Sequence, residues 1–376
     1  MSGEVKQNTS VASGAIAVAP TATESASDPA MDTNPESVGA EWHNTTSGEI
    51  FICWDITAGL NKWKGQKGNV VQPTRGVFWT GTRVNPDTMT NIIDYITINT
   101  LGNAVDFGNS LQAKRNSSGT SNGTLDRGVE GGGMIGGASG TTINEIGYIT
   151  ISSTGDATDF GNLTQARTQL SATSNASDDR GVWFGGYTGS STVDTIDYVT
   201  ISSTGDATDF GNTSTAGTQD TSATSNGTNE RGICSGGNRT SLSDVIDYIT
   251  ISTTGNATDF GNLLAAKSYT SSCSNLTNER GCISGGSTHT DVIQFITISS
   301  TGNSQDFGDL LIPMYGAAGT SNGTGERGVY GGGYPNVGGV NQNVIQYITI
   351  SSTGDATDFG DMTVERSALG ACSDAG

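Results

Sequence analysis

Hydrophobic and polar positions along this chain fall into one pattern that recurs. Each instance opens with R-G-V/I-x-x-G-G, passes through a variable stretch, and resumes as I-D-Y-I-T-I-S-S-T-G-D-A-T-D-F-G-N; the clearest copy spans residues 180–212. Copies begin at Arg75, Arg127, Arg180, Arg231, Arg280 and Arg327, at offsets of 52, 53, 51, 49 and 47 residues. A period of this size marks a propeller, a solenoid or an array. In the third copy, residues 180–186 read as a short strand ending in a double glycine. Residues 195–202, rich in β-branched and aromatic side chains, read as the strongest strand. A turn follows over 203–207, a third strand opens over 208–211, and a fourth, polar strand covers 219–225.

In Ile196-Asp197-Tyr198-Val199-Thr200-Ile201 the apolar groups fall on both faces instead of alternating strictly. A sheet covered on both sides reads that way, and neighbouring blades cover each other so in a propeller. The expected fold is therefore all-β, a six-bladed β-propeller over residues 74–376. The first copy has no polar strand before it, and residues 365–373 supply the missing one. That segment is predicted to pair beside residues 75–81 and close the ring, which removes exposed sheet edges.

The chain before Arg75 is different. Residues 1–36 are Ala, Ser, Thr and Pro without apolar periodicity, so alone they cannot offset their ordering entropy. They are expected to be a disordered tail or an arm that orders on assembly. Residues 37–73 read as a small β module. A hairpin joins 41–44 to 49–54 through Thr45-Thr46-Ser47-Gly48, and Trp42, Trp54 and Trp63 are its expected mini-core.

Composition narrows the function classes. The 55 glycines, with abundant Ser, Thr and Asn, disfavour helix interiors. A net charge of −20 excludes the basic surface that nucleic acid requires and argues against anionic membranes. No segment approaches the roughly 20 apolar residues of a membrane helix, and the first residues do not read as a signal peptide. Five widely spaced cysteines are no disulfide framework, although Cys273 and Cys282 should face each other across a four-residue hairpin loop.

Two resemblances follow from these residues. The string G-A-E-W-H-N-T-T-S-G-E-I-F-I-C-W-D-I-T-A-G-L-N-K-W resembles a short β module of bacteriophage tail and fibre proteins. The glycine doublet, variable loop and aromatic strand resemble the kelch repeat. The usual Trp of the outer strand is replaced by Phe107, Phe160, Phe210, Phe260, Phe307 and Phe359. The whole repeat is similar to those of kelch-like virion proteins of marine and cyanobacterial tailed phages. The resemblance implies a virion structural protein, made in the host cytoplasm and attached to other virion proteins through residues 1–73. Its propeller is expected to bind a host surface glycan or protein. The alternative is a purely structural tail, neck or head decoration protein, and either form is compatible with a homo-oligomer.

Candidate chemistry is sparse. The six arginines, the acids before five of them (Asp126, Asp179, Glu230, Glu279, Glu326) and the D-F-G aspartates recur in register. Recurrence points to structural Arg–Asp ties within or between blades. The T-G-D-A-T-D turn offers paired carboxylates such as Asp156 and Asp159, but turns favour Asp and Asn anyway. Two histidines in different modules suggest no metal cluster and no nucleophile–base pair. Neither enzyme activity nor a cofactor or metal is expected. The constant turns should share one face and the unrepeated loops after each double glycine the other. Function usually sits on variable loops held by a rigid scaffold. The candidate ligand-binding residues are Arg83, Tyr187, Asn238, Arg239, His289, Tyr334 and Asn336.

Overall fold

The computed structural model describes residues 22–376 except 31–32, 59–60, 67–69, 72–73, 85–86, 138–139, 239, 289 and 336–339. The chain divides into two compact units, Met1–Pro73 and Thr74–Gly376.

The first unit holds a five-stranded sheet in chain order: Thr23–Ser25, Glu41–Asn44, Ile50–Asp55, Lys62–Gly65 and Val70–Val71. The expected hairpin is present, pairing Trp42 with Phe51. Part of the expected arm also belongs to this sheet, since Thr23–Ser25 pairs in parallel with Trp42–Asn44. Trp42 Nε1 donates to Ser27 O at 2.8 Å. Phe51, Cys53 and Trp63 form the small core with Trp42 against it. Trp54 is not part of that core: it is half exposed, with Lys62 Nζ 5.1 Å from its ring centroid.

The second unit is propeller-like and all-β. Each copy supplies four antiparallel strands; in one sheet these are Ser171–Ser174, Arg180–Phe184, Thr195–Thr200 and Thr208–Asn212, hydrogen-bonded in that order. The polar strand thus pairs with the arginine strand that follows it, so it opens the next sheet instead of completing its own copy. Gly370–Ser373 pairs in this way with Arg75–Trp79, Cys372 opposite Val77. A register shift between Ile196 and Asp197 explains the unorthodox patterning of the tyrosine strand. The bulge places two successive residues inward, and both Ile196 and Asp197 are buried.

The core lies between sheets. Val182, Phe184, Ile196 and Phe210 of one sheet pack against Cys234, Ile249 and Ile251 of the next. Val129, Ile146 and Phe160 meet Trp183, Val199 and Ile201 in the same way. Close approach of the outer edges depends on the D-F-G glycine. Gly161 has φ +147°, and a Cβ there would lie 2.3 Å from Gly205 O of the adjacent sheet. Without a side chain, Gly205 N reaches Phe160 O at 2.8 Å and Ala207 N reaches Asn162 O at 2.7 Å.

The recurrent charges do not form the expected Arg–Asp ties. Arg180 lies over the Tyr198 ring at 4.4 Å, with the Phe210 edge on the same Tyr. Its Nη1 donates to Ile251 O of the next sheet at 2.9 Å. The D-F-G aspartates are exposed instead, because the strand's alternation turns Phe inward and Asp out. Asp179, in the left-handed region at φ +73°, accepts from Ser202 N at 3.0 Å and from Asn122 Nδ2 of the preceding sheet at 2.9 Å. Asp156 accepts from Asn109 N at 2.9 Å, which is a backbone cap across two sheets. Cys273 and Cys282 are register partners. The loop between their strands has five residues, 275–279, and both thiols are free and buried.

Candidate functional site

After the D-F-G strand the chain crosses beneath a double glycine to begin the next polar strand. In this crossing a position that varies between copies is filled by Lys114, Arg167, Thr218, Lys267, Met314 and Arg366. Arg167 Nη2 donates to Asp197 Oδ2 at 2.7 Å and its Nη1 to Thr195 O at 2.7 Å. Arg366 Nη2 meets Asp94 Oδ2 at 2.9 Å, and Lys114 Nζ lies 3.2 Å from Glu130 Oε2. All three cations have fully buried side chains. Burial pushes both Arg167 and Arg366 below the usual guanidinium range, and the neighbouring aspartate offsets part of the shift. These groups anchor the double-glycine side from below.

The next few residues carry the site. Asn116, Gln169, Asp220, Tyr269, Gly316 and Ala368 occupy one equivalent position in the six sheets. All have positive φ, between 55° and 64°. Their backbones form a hydrogen-bond circuit. Gln169 N donates to Asn116 O, Asp220 N to Gln169 O, Tyr269 N to Asp220 O, Gly316 N to Tyr269 O, Ala368 N to Gly316 O, and Asn116 N to Ala368 O, at 2.7–3.0 Å. Left-handed backbone costs a non-glycine residue about 1 kcal/mol, and only Gly316 avoids that cost. Inside the circuit is a cavity of about 70 Å³ lined by these residues and the next in each strand. Cavities of about 110 and 60 Å³ continue along the polar strands. Beside the last of these, Leu276 abuts Gly323 and Gly376.

Asp220 is the singular member of the circuit. It is 4% exposed. Its Oδ2 accepts from Gln219 Nε2 at 3.1 Å, while Oδ1 has no hydrogen-bond partner. Desolvation pushes its carboxyl up to about 7, against the opposing influence of Gln219, Tyr269 and Gln169. Gln169 Nε2 donates to Tyr269 OH at 2.6 Å. Tyr269 then meets Tyr315 edge-on at 5.6 Å, and Tyr315 meets Tyr334 at 5.5 Å. An aromatic path thereby joins the circuit to one of the loops singled out in the sequence.

The other sequence candidates lie around this centre instead of converging on it. Tyr187 bridges Thr168 through its backbone, and its OH donates to Gly189 O at 3.0 Å. Asn238 bridges Gln219 similarly. Arg83 is held by Glu365 at 2.8 Å, on a hairpin strand, Thr82–Val84, where an irregular loop was expected. Arg239, His289 and Asn336 lie outside the described residues. Sequence reasoning passed over the circuit because its residues sit just ahead of the small, polar strand of each copy, inside an apparently structural segment. No signal in sequence set the column Asn, Gln, Asp, Tyr, Gly, Ala apart, because the columns on either side of it vary as well: Arg, Thr, Gln, Ser, Tyr, Ser before it and Ser, Leu, Thr, Thr, Ala, Leu after it.

Among the described residues no cluster of three His, Cys, Asp or Glu side chains could hold a metal ion. No helix among them is long and apolar enough to cross a membrane. The chain matches no protein-family model, and no curated protein is similar to it.

Proposed function

We propose that the six sheets are the blades of one closed β-propeller, and that the protein is a structural component of a tailed-bacteriophage virion. In this reading residues 1–73 attach it to other virion proteins. The double-glycine side of the propeller then faces outward to bind a host surface glycan. The role is binding, without catalysis.

Closure is supported by ties that pass from every sheet to the next and from the last to the first. Arg75 reaches Ile151 O, Arg127 reaches Ile201 O, and so on until Arg327 reaches Ile98 O at 2.8 Å. The outer-edge amides behave alike, with Gly102 N on Phe359 O completing their set. The virion assignment rests on the resemblance of residues 39–63 and of the repeat to phage proteins. The observation that carries the recognition role is the closed backbone circuit, where six unlike residues from a segment that varies between copies meet around one cavity. A scaffold built from repeats needs no such variety for stability, whereas a ligand lacking sixfold symmetry does.

Two measurements test the reading. Immunogold labelling with antibody against the full chain should decorate intact virions, and unlabelled particles would overturn the virion role. On an array of bacterial surface glycans the full chain should bind saturably. Tyr187→Ala with Tyr334→Ala should weaken that binding at least about tenfold, or ~1.4 kcal/mol. Decorated virions with no glycan binding would favour the decoration role.

A further inference from the structure

We propose that the cavity inside the backbone circuit is a binding site for a primary alkylammonium group, with the Asp220 carboxylate as its counter-ion and the Tyr269 ring as one wall. This claim stands apart from the virion assignment, because it requires only the cavity.

The argument begins with an unmet demand. A buried carboxylate oxygen without a hydrogen bond is costly, and Asp220 Oδ1 is such an atom. A proton, or a cation bearing N–H donors, would satisfy it. Among the described residues the lining contains no Lys or Arg, and the net charge of −20 favours cations generally. Neutral acceptors stand nearby. Gln169 spends its amide nitrogen on Tyr269, leaving its carbonyl oxygen to accept, and Asn116 lines the same space.

Three features select an ammonium over a metal ion. Calcium takes about 6–8 oxygen ligands and usually several carboxylates, and this site offers one carboxylate. Aromatic faces attract organic cations, and Tyr269 lies in the lining with Tyr315 at its edge. The cavity of about 70 Å³ has room for a slim CH2–NH3+ head, and a quaternary amine has no N–H to give Asp220 Oδ1.

The probe is ethylammonium chloride titrated into the full chain by calorimetry at about pH 8.5, where the carboxyl is ionised. Binding in the millimolar range is expected, which corresponds to about −4 kcal/mol. Asp220→Asn should weaken it at least about tenfold. Because the carboxyl is pushed up to about 7, the parent should bind about tenfold more weakly near pH 6. Among the described residues the only other ionisable side chain in the lining is Tyr269, which desolvation holds well above the usual phenol range and so keeps neutral throughout. Tyr269→Leu retains the carboxylate and should weaken binding severalfold, which covers the case in which Asp220→Asn does not fold. Tetramethylammonium should not bind. No saturable binding, equal binding by Asp220→Asn, or equal binding of tetramethylammonium or calcium would each overturn the assignment.

Discussion

Two buried carboxyls set an unusual pH response at the scale of single residues. Asp220 in the circuit and Asp374 beside Arg75 are 4% and 5% exposed, and desolvation pushes each up to about 7. Asp374 accepts from Arg75 N at 2.9 Å, which recovers only part of that penalty. Both folded values lie above the ordinary carboxylate range, so between about pH 4 and pH 7 the folded chain binds more protons than the unfolded chain. Stability contributed by these groups is therefore complete below that window and declines as pH rises through it, by up to about 1.4 kcal/mol per pH unit for each group. The double variant Asp220→Asn, Asp374→Asn should flatten this decline and exceed the parent above about pH 7. Urea midpoints measured across the window decide the matter, and a parent whose stability rises over the same range would refute the assignment of these groups. The Asn side chain keeps an acceptor for Arg75 N, so the substitution removes the charge and little else.

Strands and their connections show why some of the molecule was legible beforehand and some was not. The tyrosine strand announced itself through β-branched and aromatic residues, and the double glycines through composition. The bulge after Ile196 showed in sequence only as apolar groups on both faces, which read as burial from both sides. What pattern reading misassigned was the electrostatics. Arg180 and Asp209 recur together in sequence, yet the strand alternation that buries Phe210 sends Asp209 outward, so proximity along the chain did not become contact. The real buried pairs join the aspartate of the recurrent I-D-Y to a crossing position that varies between copies. Arg167 meets Asp197, Arg366 meets Asp94, and the equivalent sheet position pairs Met314 with Gln346, whose Nε2 lies 3.8 Å from the Met sulfur. In both versions the strand residue also accepts a crossing-segment amide: Thr164 N on Asp197 at 3.1 Å and Leu311 N on Gln346 at 2.7 Å. The molecule thus carries its own neutral substitute for the ion pair. Arg167→Met alone strands a buried carboxylate and should cost about 3–5 kcal/mol. Adding Asp197→Gln should bring stability back to within about 1–2 kcal/mol of the parent, since a buried ion pair and a well-packed neutral pair are often close in energy. Chemical denaturation of the single and double variants measures the coupling. A double variant as unstable as the single one would mean that the charge itself is required.

The closed ring proposed above differs from an open array of the same sheets in one testable respect, the fate of Arg75–Trp79. This strand is buried on both sides, with Val77, Phe78 and Trp79 fully inaccessible, and one of its two neighbours is Gly370–Ser373. Removing residues 367–376 would delete that neighbour together with Cys372, and would uncover Val77 and Trp79, which Cys372 packs against. It would also cut the backbone circuit at Ala368 and remove Asp374 from Arg75. Unpaired backbone donors and acceptors on an apolar strand form a template for intermolecular pairing. The truncated chain should therefore aggregate or unfold well below the parent's melting temperature, with light scattering as the readout. An open array predicts a milder outcome, because stability in such arrays is a sum of neighbour interfaces and losing one terminal strand leaves the remaining five interfaces intact. A peptide spanning residues 364–376 added to the truncated chain separates the two further. In a ring the vacant slot is bounded by Arg75–Trp79 in its own sheet and by Ser118–Ser121 and Ala318–Ser321 of the two neighbouring sheets, so the peptide should bind saturably and raise the melting temperature. A truncated chain that melts like the parent, or one that the peptide leaves unchanged, would exclude closure.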